Sequence, residues 1–544
     1  MPLFSKRKNN TDAKDKQNTE EKNHEQQKEK ERPVLISSSL EKNIAEMKKE
    51  VGSSADVIIR EIKIGEQERV RLAVIYIAGL VDNNTLHESL IEPLVEDQSI
   101  QNSHAIQQIL EKTLPLGGVK ADKDWDKLFS ELMLGNALVF ADDSEEALIC
   151  STQGGEQRSI QEPSTQVSFR GPRQGFTESL QTNISMVRRY IKNPNVWVEK
   201  MKIGSVTHTD VALMYIHGIC EEKVLKEVRS RLKRIDIDSI LESGYIEQLI
   251  EDETFTTFPT MYHTERPDVV AGNLLEGRFA ILVDGTPFVL IAPALFVQFF
   301  QSVEDYYSRF DIATSIRILR VLVFFISLVA PAVYVAATTF HQEMIPTQLL
   351  VVIAAQREIV PFPAVVEALT MEIAFEILRE AGVRLPRVVG SAVSIVGALV
   401  IGQAAVQAGI VSPAMVIIVA LTAIASFATP AFAMAISARL IRFIFIIASA
   451  VIGFYGLILG IIIMIVHLCS LRSFGVPYMS PLAPYSSQGV KDALFRVPWW
   501  ADEKRPESIS KKDKVRQSKH QRPLPDASRG MVNKELEEGD KDDT

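Results

Sequence analysis

Charged and apolar positions are distributed very unevenly along this chain. Residues 388–438 contain no Asp, Glu, Lys or Arg, whereas the first three hundred residues are rich in all four. A helix needs about 20 predominantly apolar residues to cross a bilayer, so an uncharged run of this length can cross twice. The pattern predicts a membrane protein with a large soluble N-terminal half.

The C-terminal half contains four uncharged stretches that are long enough to span a membrane. They are residues 321–340, 391–411, 414–434 and 443–468. Pro331 predicts a kink in the first stretch because proline removes a helical hydrogen bond.

The basic residues around these stretches give a conflicting picture of orientation. Four complete spans place both flanks of the membrane region in the cytoplasm, and both flanks are basic, as the positive-inside rule requires. Arg439 and Arg442 would then lie outside, against the same rule. This conflict indicates an additional crossing or a misplaced end of a span.

Residues 341–387 combine a short apolar run, a proline break and a charged helix. This pattern is typical of a re-entrant or interfacial segment, and a helix lying on the membrane surface explains it equally well. Acidic residues at membrane depth usually mark function, so we select six functional candidates in this segment. Glu367 falls on the apolar face of the predicted helix. The six are Arg357, Pro361, Pro363, Glu367, Glu372 and Glu376.

The second predicted span carries a stripe at helical spacing that consists of Val396, Val400, Gln403 and Gln407. Around an axis formed by several copies, such a stripe could line a hydrophobic gate with polar rings beside it. Alternatively, the glutamines hold helices together within one subunit, helped by the small residues of this span. Spacing alone favours the second interpretation.

The soluble half contains an internal repeat. Residues 56–65 match 195–204 and residues 73–79 match 212–218 at an offset of 139, and a third match follows at an offset of 142. Each copy has an apolar, β-branched run that ends at glycine, followed by a charged helical stretch. The predicted class is therefore α+β with membrane helices: two tandem α/β subdomains followed by a helical bundle of about four spans.

Composition argues against several functions. The chain has 59 Lys and Arg against 68 Asp and Glu, a net charge of −9, so we expect no nucleic-acid partner. The three cysteines are far apart, and the sequence shows no metal-ligand spacing and no glycine-rich nucleotide motif. No set of nucleophile, base and orienting residue stands out. We therefore expect no metal, no cofactor and no enzymatic activity.

The chain ends are strongly polar, which predicts disorder, and the N-terminus has no apolar signal segment, so we expect the soluble half in the cytoplasm. The sequence predicts eight consecutive parts, with a disordered tail at each end of the chain. In order, the parts are a tail (1–48), a first α/β subdomain (49–151), a connector (152–194), a second α/β subdomain (195–300), a linker helix (301–320), a membrane domain (321–470), a post-membrane segment (471–500) and a tail (501–544).

Several motifs of this sequence resemble one protein family. They are TERPD at 264–268, HQEMIPT at 341–347, VPFP at 360–363, LREAGVRLP at 378–386 and VIGQAAV at 400–406. Over about residues 50–500 the chain resembles the A subunits of bacterial spore germinant receptors, the GerA family. The charged N-terminal extension resembles the K-type receptor.

The resemblance implies a multi-pass subunit of the spore inner membrane, surrounded by lipid, with its N- and C-terminal regions in the cytoplasm. It implies two partners, a transporter-like, nutrient-sensing B subunit and a lipoprotein C subunit. It also implies a homo-oligomer, a pentamer, that forms a nutrient-gated cation conduit. With this resemblance the preferred interpretation of Val396, Val400, Gln403 and Gln407 becomes the gate. A solute transporter and a non-conducting assembly scaffold remain the alternatives.

Overall fold

The computed structural model of the protein describes residues 35–65, 70–97, 105–155, 168–384 and 400–518, together with residues 162, 163, 166, 521 and 523. The chain divides into two compact units. The first consists of residues 1–159 and 181–200, and the second of residues 160–180 and 201–544.

The described strands form two five-stranded sheets and one two-stranded ribbon. The sheet orders are β1-β2-β4-β5-β3 and β6-β7-β9-β10-β8. The strands are β1 (Val57–Ile64), β2 (Val70–Ile77), β3 (Val119–Asp122), β4 (Ala137–Ala141), β5 (Ala147–Cys150), β6 (Val196–Ile203), β7 (Thr209–Ile216), β8 (Tyr262–Thr264), β9 (Phe279–Val283), β10 (Val289–Ala292), β11 (Arg472–Ser473) and β12 (Val476–Pro477).

The described α-helices fall into short helices around the sheets and longer ones in the C-terminal half. They are α1 (Leu40–Glu50), α2 (Glu92–Glu96), α3 (Ala105–Gln108), α4 (Trp125–Met133), α5 (Leu180–Tyr190), α6 (Glu222–Arg234), α7 (Ser243–Ile250), α8 (Pro267–Leu275), α9 (Glu304–Tyr307), α10 (Phe310–Thr339), α11 (Thr347–Arg357), α12 (Ala364–Arg384), α13 (Pro413–Phe427), α14 (Phe432–Ile452), α15 (Phe454–Ser470) and α16 (Ser487–Val490). Residues 400–407 are helical as well.

The first sheet is buried on both faces. Along β2, Ala73 and Ile75 pack into one apolar core, and Leu72 and Val74 pack into the other. This alternation follows from the two-residue side-chain period of a strand. Burial on both sides explains why residues 72–77 of β2 and the whole of β4 appear in the sequence as continuous apolar runs rather than alternating ones.

Helix α1 begins inside the segment that the sequence predicts as a disordered tail. Leu40, Ile44 and Met47 recur at helical spacing and are buried against the first sheet. The predicted tail boundary at residue 48 is therefore wrong, because a narrow apolar stripe is hidden in a segment of polar average composition.

The second sheet repeats the order of the first. Strands β6 and β7 begin 139 residues after β1 and β2, and β9 begins 142 residues after β4, which are the offsets of the sequence repeat. The predicted mixed α/β architecture of the N-terminal half is confirmed. The segment 152–194, which the sequence predicts as a connector, contains helix α5.

Residues 501–518 also differ from the predicted solvated tail. Ile509 and Ser510 are buried, and Arg516 pairs with Glu276 at 3.3 Å and with Asp502 at 2.6 Å. These contacts hold the start of the predicted tail against the unit that contains the second sheet.

Two described helices, α10 and α14, are long and apolar enough to cross a membrane, and α13 and α15 are apolar but shorter. The predicted third span, 414–434, is broken, because α13 ends at Phe427 and α14 begins at Phe432. The predicted fourth span, 443–468, is also wrong as a single helix, since it is divided at Gly453 between α14 and α15. Of the predicted second span, residues 400–411 fall within the described part of the chain.

Gly453 explains the break in the fourth predicted span. Its φ is +62°, and a Cβ at this position would lie 2.7 Å from the ring of His341. Glycine is the residue that ends a helix in this backbone region without strain. The uncharged apolar run 443–468 therefore contains parts of two helices, α14 and α15, rather than one span.

Candidate functional site

Helix α12 contributes a buried carboxylate to an ion pair with α14. Arg442 Nη1 donates to Glu372 Oε2 at 2.7 Å, and both side chains are less than a tenth exposed. Thr422 of α13 adds a hydrogen bond to the other oxygen of Glu372 at 3.4 Å. The predicted candidate Glu372 thus connects three helices.

One turn further along α12, Glu376 accepts a hydrogen bond from Arg439 Nη1. Arg379 lies on the same helix, 3.9 Å from Glu376, and donates to Ser426 Oγ at 2.7 Å. The positive-inside rule counts charges in loops, whereas Arg439 and Arg442 lie within α14 and pair with carboxylates. Their position is therefore no evidence about which side the chain faces.

Glu367 is buried and contacts two other segments. Its Oε2 accepts a hydrogen bond from the backbone N–H of Ser412 at 2.8 Å, and its Oε1 lies 3.4 Å from Arg357 Nε. Ser412 precedes α13, so this carboxylate lies at a helix N-terminus, where the helix dipole favours negative charge. The hydroxyl of Tyr334 in α10 is 3.4 Å from Ser412 Oγ.

Pro361 and Pro363 lie in the non-helical stretch 358–363 between α11 and α12. The carbonyl of Pro363 accepts hydrogen bonds from the N–H groups of Val366 and Glu367, which lie in the first turn of α12. The two prolines therefore have a local structural role, because proline disfavours helix at the residue before it and suits a helix start.

The predicted gate residues in the described part of the chain share an exposed face. Val400 is 56 % exposed, and Gln403 and Gln407 are exposed one and two turns further along. A different face of this helical segment packs on α13, where a Cβ added at Gly402 would lie 3.5 Å from a methyl of Val416. Val396 lies outside the described residues.

A second charged cluster, which the sequence analysis missed, lies where the soluble part meets α10. We define the linker clamp as Asp305, Arg317, Arg320 and Asp492. Arg320 donates to both oxygens of Asp305 at 2.9 Å, and Arg317 lies 3.2 Å from Asp305 and from Asp492. Tyr306 donates to Asp492 at 2.9 Å.

The centre of the linker clamp is shielded from water, whereas Asp492 and Arg320 at its edge are partly exposed. Arg317 and Asp305 are almost completely buried. Burial raises the pKa of the Asp492 carboxyl to about 6, although Arg317 acts in the opposite direction. The sequence drew attention to Arg317 and Arg320 only as flanking charges, because Asp492 is 175 residues away along the chain.

The comparisons with known proteins agree with one another. The family model described as Bacillus/Clostridium GerA spore germination protein matches residues 45–508. The chain is similar to spore germination protein KA of Bacillus subtilis (strain 168), with 91% identity over 544 residues that cover all of both chains. It is also similar to spore germination protein GerLA of Bacillus cereus, with 38% identity over 87% of this chain and 97% of the relative.

One solved structure is similar over the N-terminal part. It is the crystal structure of the N-terminal domain of the A subunit of the Bacillus megaterium spore germinant receptor GerK3. The match has 49% identity and a TM-score of 0.41, and it covers 49% of this chain and all of that one.

Proposed function

The chain belongs to the Bacillus/Clostridium GerA family of spore germination proteins, and from this premise we propose that it forms the ion conduit of a germinant receptor. Several copies, five in our proposal, assemble in the inner membrane of the spore, with the soluble half and both termini in the cytoplasm. A transporter-like B subunit senses the nutrient, and a lipoprotein C subunit completes the receptor. Opening of the conduit releases cations and starts germination.

The observation that best supports a conduit is the exposure of the gate stripe. Val400, Gln403 and Gln407 share one uncovered face of a helical segment in the apolar half of the chain. A glutamine that faces hydrocarbon is unfavourable, because its amide loses hydrogen bonds to water. Copies arranged around a water-filled axis remove this penalty. They also bring the Val400 side chains together as an apolar constriction beside two polar rings.

The linker clamp supports a route from the soluble half to this gate. Asp305 belongs to the short helix α9 before the membrane region, and Arg317 and Arg320 belong to α10. Because Asp305 pairs with both arginines, a displacement of α9 is transmitted directly to α10. A nutrient signal that reaches the soluble half can therefore reach the membrane helices.

Potassium release from spores that carry Val400→Ala or Gln403→Ala tests the gate. We expect Val400→Ala to leak ions or to germinate without nutrient, because a smaller apolar ring closes the axis less well. Val451→Ala is the matched control, since Val451 is similarly exposed but lies on α14. If Val400→Ala and Gln403→Ala spores accumulate the protein normally and respond like wild type, the stripe serves packing and the gate assignment is wrong.

Ion flux through the purified protein in vesicles distinguishes a conduit from the two alternatives, a solute transporter and a non-conducting assembly scaffold. A conduit passes potassium down its own gradient, and a transporter needs a gradient of a second solute. A non-conducting scaffold passes none in either condition.

A further inference from the structure

A cavity of about 430 Å³ lies within the second unit, between residues near the second sheet, such as Tyr262 and Arg266, and the helices α12, α13 and α14. We define the arginine cavity by six of its lining residues. They are Arg266, Arg320, Arg379, Ser426, Thr429 and Arg439. Among the described residues that line it there is no Asp or Glu. The cavity is therefore strongly biased towards positive charge.

The four arginines are not equally neutralised. Arg266 is saturated, because Asp268 accepts from its Nε at 3.1 Å and from its Nη2 at 2.8 Å, and other groups occupy its remaining donors. Arg320 shares the carboxylate of Asp305 with Arg317. Because Arg317 also pairs with Asp492, the two arginines and two carboxylates of the linker clamp balance, and Arg320 is compensated.

Arg379 is the least compensated of the four. The carboxylate paired with it is that of Glu376 at 3.9 Å, and Glu376 also accepts from Arg439. Two arginines therefore share one carboxylate. The Nε atoms of Arg379 and Arg439 are buried and have no hydrogen-bond partner within the described structure. Buried guanidinium donors without partners are unfavourable, so this arrangement favours an anion in the cavity.

The backbone at the start of α14 also favours an anion in the cavity. Helix α14 begins at Phe432 on the cavity wall, and the N–H groups of the first turn of a helix attract anions. The hydroxyl of Ser426 already holds Arg379, and Thr429 offers a second hydroxyl. Planar guanidinium groups bind phosphate and carboxylate oxygens in a fork, which single hydroxyls cannot do.

We propose that the arginine cavity binds a phosphate group, held mainly by Arg379 and Arg439. The phosphate comes either from an anionic phospholipid headgroup or from a free phosphate anion, because both offer the same oxygens. Bound phosphate neutralises Arg379 and joins α12 to α14, whose first turn lines the cavity. The site thus makes the packing of these helices dependent on an anion.

The test uses the purified full chain and its thermal unfolding midpoint. Inorganic phosphate is titrated into protein in neutral detergent, and in a second arm the protein is placed in nanodiscs of phosphatidylcholine with or without phosphatidylglycerol. Native mass spectrometry then counts retained phosphatidylglycerol. We expect Arg379→Gln to weaken phosphate or lipid binding about tenfold or more, which corresponds to about 1.4 kcal/mol or more.

Arg384→Gln is the matched control, because it removes the same charge from the same helix at an exposed position that pairs with Glu380. If Arg379→Gln does not fold, Ser426→Ala removes only the hydroxyl that positions Arg379 and should weaken binding severalfold. A response to inorganic phosphate identifies a free anion, and retention of phosphatidylglycerol without that response identifies a lipid. No response in either arm overturns the proposal, as does an equal loss in Arg384→Gln or unchanged binding in Ser426→Ala.

Discussion

Replacing Glu372 with leucine should destabilise the protein strongly, because it leaves Arg442 buried without a counter-ion. The two side chains meet at 2.7 Å and are 7 % and 4 % exposed. The Nε and Nη2 atoms of Arg442 already have no hydrogen-bond partner within the described structure, so no second acceptor is at hand. Removing one member of a buried ion pair typically costs about 3–5 kcal/mol, and we expect a loss of this size.

The double variant Glu372→Leu with Arg442→Leu gives a sharper result. With both charges removed, an apolar contact replaces the pair, and the total loss should be smaller than that of either single variant. The coupling between the two sites should therefore reach about 2 kcal/mol or more.

Unfolding of the purified full chain by sodium dodecyl sulfate in mixed micelles, followed by circular dichroism, measures these free energies. Glu380→Leu is the control, because Glu380 pairs with Arg384 at 2.6 Å on the same helix but both side chains are largely exposed. An exposed pair contributes less than about 1 kcal/mol. The reasoning is refuted if Glu372→Leu is no more damaging than Glu380→Leu, or if the losses in the double variant simply add.

Three further predictions concern other parts of the chain. Arg188→Met should lower the free energy of unfolding of the first unit by about 3–5 kcal/mol, because Arg188 donates to both oxygens of buried Asp56 at 2.7 and 2.9 Å. The loss should appear as faster hydrogen exchange in β1, and unchanged exchange would contradict this. Burial raises the pKa of Glu247 from 4.5 to about 7, so the stability that this carboxyl contributes to the α7 region is fully present below pH 4.5 and is lost as the pH rises through about 7. Glu247→Gln should remove this dependence and stabilise the region at pH 8 by on the order of 2 kcal/mol, and exchange rates in α7 that vary with pH as in wild type would refute it. Gly453→Ala should lower the midpoint of thermal unfolding, since the new methyl would meet the His341 ring at 2.7 Å and the backbone φ is +62°. A midpoint equal to that of wild type would show that the α14–α15 junction adapts.

The sequence predicts most of the soluble architecture because its signals are local. Continuous apolar runs such as 72–77 and 137–141 lie in strands buried on both faces, and the repeat offsets recur in the positions of the strands. Helix α1 was not predicted because its apolar stripe is narrow and its flanks are charged. Averages over a window hide such a stripe.

The C-terminal half was predicted less well, for two physical reasons. Hydropathy measures transfer to an apolar phase, so it does not register a backbone reversal at a glycine such as Gly453. The pairs Glu372–Arg442 and Glu376–Arg439 join residues 70 and 63 positions apart, a distance at which helical spacing carries no information. The sequence could therefore select Glu367, Glu372 and Glu376 as candidates but could not identify their partners.

The linker clamp fixes where α10 is able to tilt. Arg317 is held near the start of this helix by Asp305 and Asp492, which come from before and after the membrane region, so this point acts as a fulcrum. The helix continues for 22 residues to Thr339, or about 33 Å at 1.5 Å per residue. A tilt of about 5° about the fulcrum moves the far end by about 3 Å, from the same rise per residue. A tilt of only a few degrees at the linker clamp therefore displaces the other end of the helix by about the diameter of a bare monovalent cation.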